Sequence, residues 1–197
     1  MNLTLLLYSH IKDKFETSPY VPLYHNWKHT KNVFEVVFYL SKLEGLNKEY
    51  TELLKKAALY HDTGYLSKPD MDAKRPHELT SISIAEAELI LFGFPHSDIQ
   101  NISRLIQATM YETHATYVPT EIGEQIMHDA DFSYLGMDYY PFVTELLRNE
   151  LGVKYSDWIT IEIDFLKNFR FYTKPAQKLF NEQKQINLNN LMAIGEL

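Results

Sequence analysis

The sequence predicts an all-α fold, a single compact helical bundle, and three observations carry that expectation. Apolar residues recur three and four apart along nearly the whole chain, with almost none of the two-residue alternation of a half-buried strand. Capping side chains precede these periodic runs and glycines follow them. No internal repeat, low-complexity tract or Gly/Ser linker interrupts the pattern, so the 197 residues read as one domain, 1–197, with room for one sizeable core.

The elements follow in order. Leu3, Leu6, Leu7, Ile11 and Phe15 mark the first helix. Val33, Val36, Val37, Leu40 and Leu43 mark a second that begins near Asn26, whose side chain is able to cap it. Leu53, Leu54, Ala57, Ala58 and His61 share one face of a third, read as stopping at Gly64. The polar stretch SKPDMDAKRP reads as a surface loop before SISIAEAELILFG, where Thr80 or Ser81 can cap a fourth helix and Gly93 can close it. Ile99, Ile102, Leu105 and Ile106 place a fifth between Ser97 and Met110, and a sixth runs from about Glu121 to Asp131. Beyond Gly136 come helices over Tyr139 to Leu151, over Ser156 to Tyr172, and from Pro175, a residue suited to a first helical turn. A motif-bearing core of about residues 20–140 is expected to carry the helices of 139–195 packed on it.

Composition narrows the function. A hydrophobic fraction of 45% with 14% aromatics excludes disorder, and a net charge of -7 argues against a nucleic-acid polymer as partner, which calls for a concentrated basic face. With no cysteine there is no disulfide, thiolate metal site or thiol nucleophile, so any metal must be held by His, Asp, Glu or water. The first residues lack the basic start and cleavage site of a signal peptide, and no window approaches a membrane span. The expectation is a soluble cytoplasmic protein without a membrane partner; an oligomer is compatible with it.

The chemistry concentrates in a few stretches. YHNWKHTKNV carries His25 and His29, and positions i and i+4 of a helix share a face, so the pair implies one shared target. Each histidine alone is equally an ordinary surface or core residue. LYHDTGY carries His61 and Asp62, and neighbours on a regular helix diverge by about 100 degrees, so both reach one point only where a helix ends. A second His-Asp pair, His128-Asp129 in MHDADFSYLG, competes with it.

His29, His61, Asp62 and a later Asp together resemble the HD phosphohydrolase superfamily, whose signature is a His, then a His-Asp pair, then a distant Asp on successive helices. The opening YHNxxH also resembles the same stretch of cyclic nucleotide phosphodiesterases, in which the first His looks like the proton donor and the second like the metal ligand. The last ligand of such families sits in a segment like A-D-x-x-x-L-G, here Ala130 to Gly136, which selects Asp131 and makes His128-Asp129 a decoy. The chain is further similar, over roughly residues 20–195, to a bacterial group of predicted metal-dependent HD phosphohydrolases with an (N/D)E-x-x-S segment. His77-Glu78-Leu79-Thr80-Ser81 is its counterpart, with His77 where that group tends to have Asn.

The resemblance implies a bundle of the HD type with metal ligands His29, His61, Asp62 and Asp131, and a catalytic set of His25, Asp62 and Glu78. Two imidazoles and two carboxylates suit Mn, Fe, Co, Ni, Mg or Zn, one ion being expected and a second if His77 also ligates. A histidine titrating near neutrality suits delivery of a proton to a departing oxygen. Glu78 either holds a water or favours a helix N-terminus, while His77, His114, Lys68 and Arg75 read as second-metal or substrate contacts, or as a solvated face. The aromatics Tyr134, Tyr139, Tyr140 and Phe142 read as core. The function expected is hydrolysis of a phosphoester or phosphoanhydride of a small phosphorylated metabolite, a nucleotide first. The alternative is a non-catalytic helical regulatory module that binds a metal or a nucleotide.

Overall fold

Asn26 begins the helix on which the site is built: its side chain accepts hydrogen bonds from the N–H groups of Lys28 and His29, which have no intrahelical partner. A computed structural model describes residues 3–67, 76–110 and 118–195. The helices are α1 (Leu3–Thr17), α2 (Trp27–Leu43), α3 (Lys48–Tyr60), α4 (His77–Leu91), α5 (His96–Gln107), α6 (Ile122–Asp131), α7 (Tyr140–Leu151), α8 (Tyr155–Asn168) and α9 (Lys174–Gly195). Two 3-10 turns, Thr63–Leu66 and Phe132–Gly136, follow α3 and α6, and the described residues contain no strand. The fold is all-α, as the periodicity predicts.

Helix α2 packs on α3 and α6, α5 lies against α3 and α4, and α9 covers the second 3-10 turn and α8. The core is apolar where these faces meet: Val33 and Val37 of α2, Leu54 and Ala58 of α3, Ile102 and Ile106 of α5, and Ile126 of α6 are all fully buried. No helix among the described residues is long and apolar enough to cross a membrane.

Four sequence expectations are corrected. Helix α3 ends at Tyr60, not at Gly64: His61 keeps helical dihedrals, but Asp62 leaves them at φ -106° and ψ 5°. Helix α4 begins at His77, so Thr80 and Ser81 lie inside it, and Ser81 Oγ instead accepts from the Gly64 N–H at 2.8 Å. Helix α8 stops at Asn168 and the chain runs extended through Phe169. Tyr134 and Tyr140 are core residues, but Tyr139 and Phe142 are exposed.

Gly64 is glycine because of approach, not because it terminates a helix. A Cβ there would fall well inside contact distance of the His77 carbonyl, which is backbone and cannot swing aside. Gly64→Ala is therefore expected to drive α4 away from the first 3-10 turn, lowering stability by about 1–3 kcal/mol and displacing His77. Thermal denaturation checks the first effect, and metal content at equal folded fraction separates it from a loss of the ligands expected from the sequence.

Candidate metal centre and cleft

Three helix ends bring the donors together. His29 lies one turn into α2, His61 and Asp62 follow the end of α3, and Asp131 closes α6. The break after His61 lets two sequence neighbours face one point. His29 Nε2 lies 3.0 Å from Asp131 Oδ1, 3.2 Å from Asp62 Oδ2 and 3.3 Å from His61 Nε2. His61 Nε2 is 3.1 Å from Asp62 Oδ2 and 3.5 Å from Asp131 Oδ1. The donor atoms of His29, His61 and Asp131 all fall within 4.8 Å of one another.

The donor set fits a divalent cation. His61 Nδ1 donates to the Ala58 carbonyl at 2.8 Å, which fixes the tautomer and leaves Nε2 as the ligating atom. Asp62 Oδ2 is buried and accepts no hydrogen bond, although two imidazole nitrogens lie just over 3 Å away, and the buried hydroxyl of Tyr24, whose ring lies 4.5 Å from that of His29, also has no partner. Buried acceptors left unpaired amid convergent nitrogens are what an ion would satisfy.

Without an ion, protons take its place. Burial opposes the charged form of His61, yet Asp62 and Asp131 raise its pKa well above the usual histidine value, and the same pair raises His29. Burial opposes the charge of both carboxylates, yet His61, His25 and His29 hold Asp62 well below, and His29 and His61 hold Asp131 below, the ordinary carboxylate range. A raised folded-state pKa stabilises the ion-free protein below the unfolded histidine value, and that gain fades as pH rises through the folded value. Loading Mn at neutral pH should therefore expel about one proton, and affinity should weaken as pH falls. Calorimetry in two buffers of different ionisation enthalpy measures the release; identical heats in both would show that the ligands start deprotonated.

A cleft of about 320 Å³ opens on this cluster, bordered by Asp62, Asp131, His25, His77 and Glu78 and continuing toward α7 and α8. A larger one of about 440 Å³ lies across Tyr24 and Tyr134, and of the four donors only His29 borders it. The smaller cleft is the one that meets the candidate chemistry.

The structure separates the opening histidine pair rather than giving it one target. His25 precedes the Asn26 cap, and its ring stands nearly perpendicular to that of His29, 5.7 Å away. It turns instead to Glu150 at the end of α7: Nδ1 pairs with Glu150 Oε1, while the backbone N–H groups of Tyr24 and His25 donate to Oε2 at 2.7 and 3.2 Å. Burial alone would raise Glu150, but His25 and those N–H groups hold it below its usual value. Tyr65 stacks on His25 at 4.2 Å and contacts the His77 ring at 4.0 Å, fixing both. Sequence reasoning missed Glu150 and Tyr65; Tyr65 lies three residues past the His-Asp pair, whereas nothing local distinguishes Glu150.

His77 donates from Nε2 to Asp62 Oδ1 at 3.1 Å, the oxygen opposite the one facing His29 and His61, and Nδ1 lies 3.4 Å from Glu78. Burial raises the pKa of Glu78, helped by Asp62 and Asp131 and opposed by His77. The competing pair points elsewhere. Asp129 is fully buried and accepts from the Tyr172 and Thr173 N–H groups at 2.8 and 2.7 Å, while His128 stacks on Phe169 at 5.3 Å. Lys68, Arg75 and His114 lie outside the described residues.

Residues 26–133, more than half of the chain, match the family described as HD domain. The chain belongs to the HD-domain family. That membership makes it a metal-dependent phosphohydrolase in general terms. No curated protein matches its sequence. Among solved structures, this HD-domain chain is similar to Bacillus subtilis YpgQ in complex with ADP, at 16% identity and a TM-score of 0.67, covering 98% of this chain and 93% of that one. A predicted HD superfamily hydrolase from an uncultured Thermotogales bacterium matches at 19% identity and a TM-score of 0.62, covering 98% and 97%. The Lin1889 protein of Listeria innocua matches at 17% identity and a TM-score of 0.66, covering 98% and 96%. At these identities the likeness to the HD domain shown here is one of fold.

Proposed function

We propose that this protein hydrolyses a phosphoester or phosphoanhydride bond of a nucleotide, with His29, His61, Asp62 and Asp131 holding a divalent ion and His25 donating a proton to the departing oxygen. The observation that carries the reading is the His25 ring, locked by Glu150 and Tyr65, on the cleft that Asp62 and Asp131 also border. When bound, a divalent ion supplies Lewis acidity toward a phosphoryl oxygen and lowers the pKa of water.

The chain's own residues do the rest. Glu150 accepts the His25 Nδ1 proton, so Nε2 is the atom that can face a substrate oxygen. Glu78, buried beside the cluster with a raised pKa, is placed to accept or return a proton in the cleft. His77 is held toward the far oxygen of Asp62, where it meets either substrate or a second ion. The ADP bound by the Bacillus subtilis neighbour supports a nucleotide as the substrate class.

The test is the purified protein with added Mn against a panel of cyclic nucleotides, nucleoside monophosphates and nucleoside triphosphates, with metal analysis in parallel. Ion-dependent turnover of at least one is expected, and if His77 ligates a second ion, anomalous scattering should give two metal peaks, one of them lost in His77→Asn. A single peak unchanged by that substitution would make His77 a substrate contact. Binding of nucleotide by the ion-loaded protein without turnover of any panel member would leave the regulatory-module reading.

A further inference from the structure

We propose that the part of the cleft bordered by α8 is a base subsite in which Glu162 accepts hydrogen bonds from the N–H edge of a guanine ring. This rests on the nucleotide reading above and deepens it.

Glu162 is buried on α8, where a carboxylate is costly unless paired. Its Oε2 accepts from the Tyr140 hydroxyl and from Thr144 Oγ1 at 2.6 Å, and Thr144 accepts in turn from Trp158 Nε1 at 2.9 Å. These bonds pin the carboxyl in one orientation and commit each of the three donors around it. Its second oxygen, Oε1, takes no partner among the described residues, and Glu162 borders the cleft together with Phe132, Trp158, Ile161 and Phe165. Burial raises the pKa of Glu162 against the two hydroxyls, so a ligand N–H would restore part of the hydrogen bonding that burial removed.

The geometry connects this acceptor to the chemistry. Tyr24 and Tyr134, 5.5 Å apart, border the cleft, and Tyr134 stacks parallel at 6.3 Å on Tyr140, the buried ring whose hydroxyl donates to Glu162. A cleft of about 320 Å³ with aromatic walls and one fixed polar group at its end suits a flat ring attached to a phosphate that reaches the other end. Guanine presents N1–H and an exocyclic N2–H side by side, and both can converge on one acceptor oxygen. Adenine presents a donor beside the N1 lone pair, and no uncommitted donor of Tyr140, Thr144 or Trp158 remains to meet that lone pair.

Nucleosides separate this proposal from the phosphohydrolase reading, because they carry no phosphate and need no ion. Equilibrium binding by saturation-transfer NMR would compare guanosine with purine riboside, which lacks both donors. The wild type should prefer guanosine on the order of 10 to 100-fold. Glu162→Gln keeps an acceptor for Tyr140 and Thr144 but can turn an amide N–H toward the cleft, and it should erase the preference. Equal binding of both nucleosides by the wild type, or a preference that survives in Glu162→Gln, would overturn the subsite. Guanosine selectivity without turnover of any nucleotide would keep the subsite and defeat the phosphohydrolase reading; turnover without base preference would do the reverse.

Discussion

Asp131→Ala will empty the metal site and abolish turnover, while Asp129→Asn, two residues away on the same helix, will keep both. Asp131 Oδ1 lies 3.0 Å from His29 Nε2 and 3.5 Å from His61 Nε2, so its loss removes a donor from the centre of the cluster. The expected cost exceeds the roughly 100-fold in affinity that even a supporting residue around a metal can carry. Asp129 instead binds the Tyr172 and Thr173 N–H groups, so its removal leaves buried donors unpaired, at about 1–3 kcal/mol each. Asp129→Ala should thus show a lowered melting temperature with metal retained in the folded fraction, and Asp129→Asn should recover part of the loss. Metal analysis of the three variants decides the matter: a metal-free Asp129→Asn beside a loaded Asp131→Ala would reverse the assignment.

His25→Ala should keep its metal and lose rate, on the order of 100 to 10,000-fold, whereas His29→Ala should lose metal and rate together. The His25 ring bonds to Glu150, not to the cluster, so truncating it leaves the four donors in place. The loss should depend on the leaving group. A ribose alkoxide needs a proton to depart, while p-nitrophenolate leaves almost unaided, so the defect should shrink on a p-nitrophenyl phosphoester. Glu150→Gln should show the same dependence in weaker form, because an amide can still orient the ring. Equal losses of His25→Ala on both substrates, or loss of metal, would remove the proton-donor role.

What the sequence made legible, and what it hid, follows from where the information lies. His29, His61, Asp62 and Asp131 could be singled out because their short motif stretches resemble the HD signature, while local signals such as Asn26 and the apolar spacing of α2 place the first of them near a helix start. Glu150 could not, because its partner lies 125 residues away and the segment around it reads as an ordinary exposed helix end. The start of α4 is hidden for the same reason: Ser81 is a good capping residue, but its hydroxyl is used by Gly64, 17 residues earlier. Tyr139 and Phe142 looked like core because their spacing fits a helix face, yet a face is buried only where another element covers it, and theirs borders the larger open cleft.

The anchoring of α6 also sets when the protein can work. Asp131 stands between Asp129, held by the backbone of Tyr172 and Thr173, and Gly136, which sits against Phe180 so closely that no Cβ would fit. Both anchors come from residues that leave the ribosome about forty to fifty positions after Asp131. A nascent chain that has already exposed His29, His61, Asp62 and Asp131 therefore has every proposed ligand but no rigid frame for them. The proposed metal centre gains its frame only after Phe180 has emerged and α9 has closed over the second 3-10 turn.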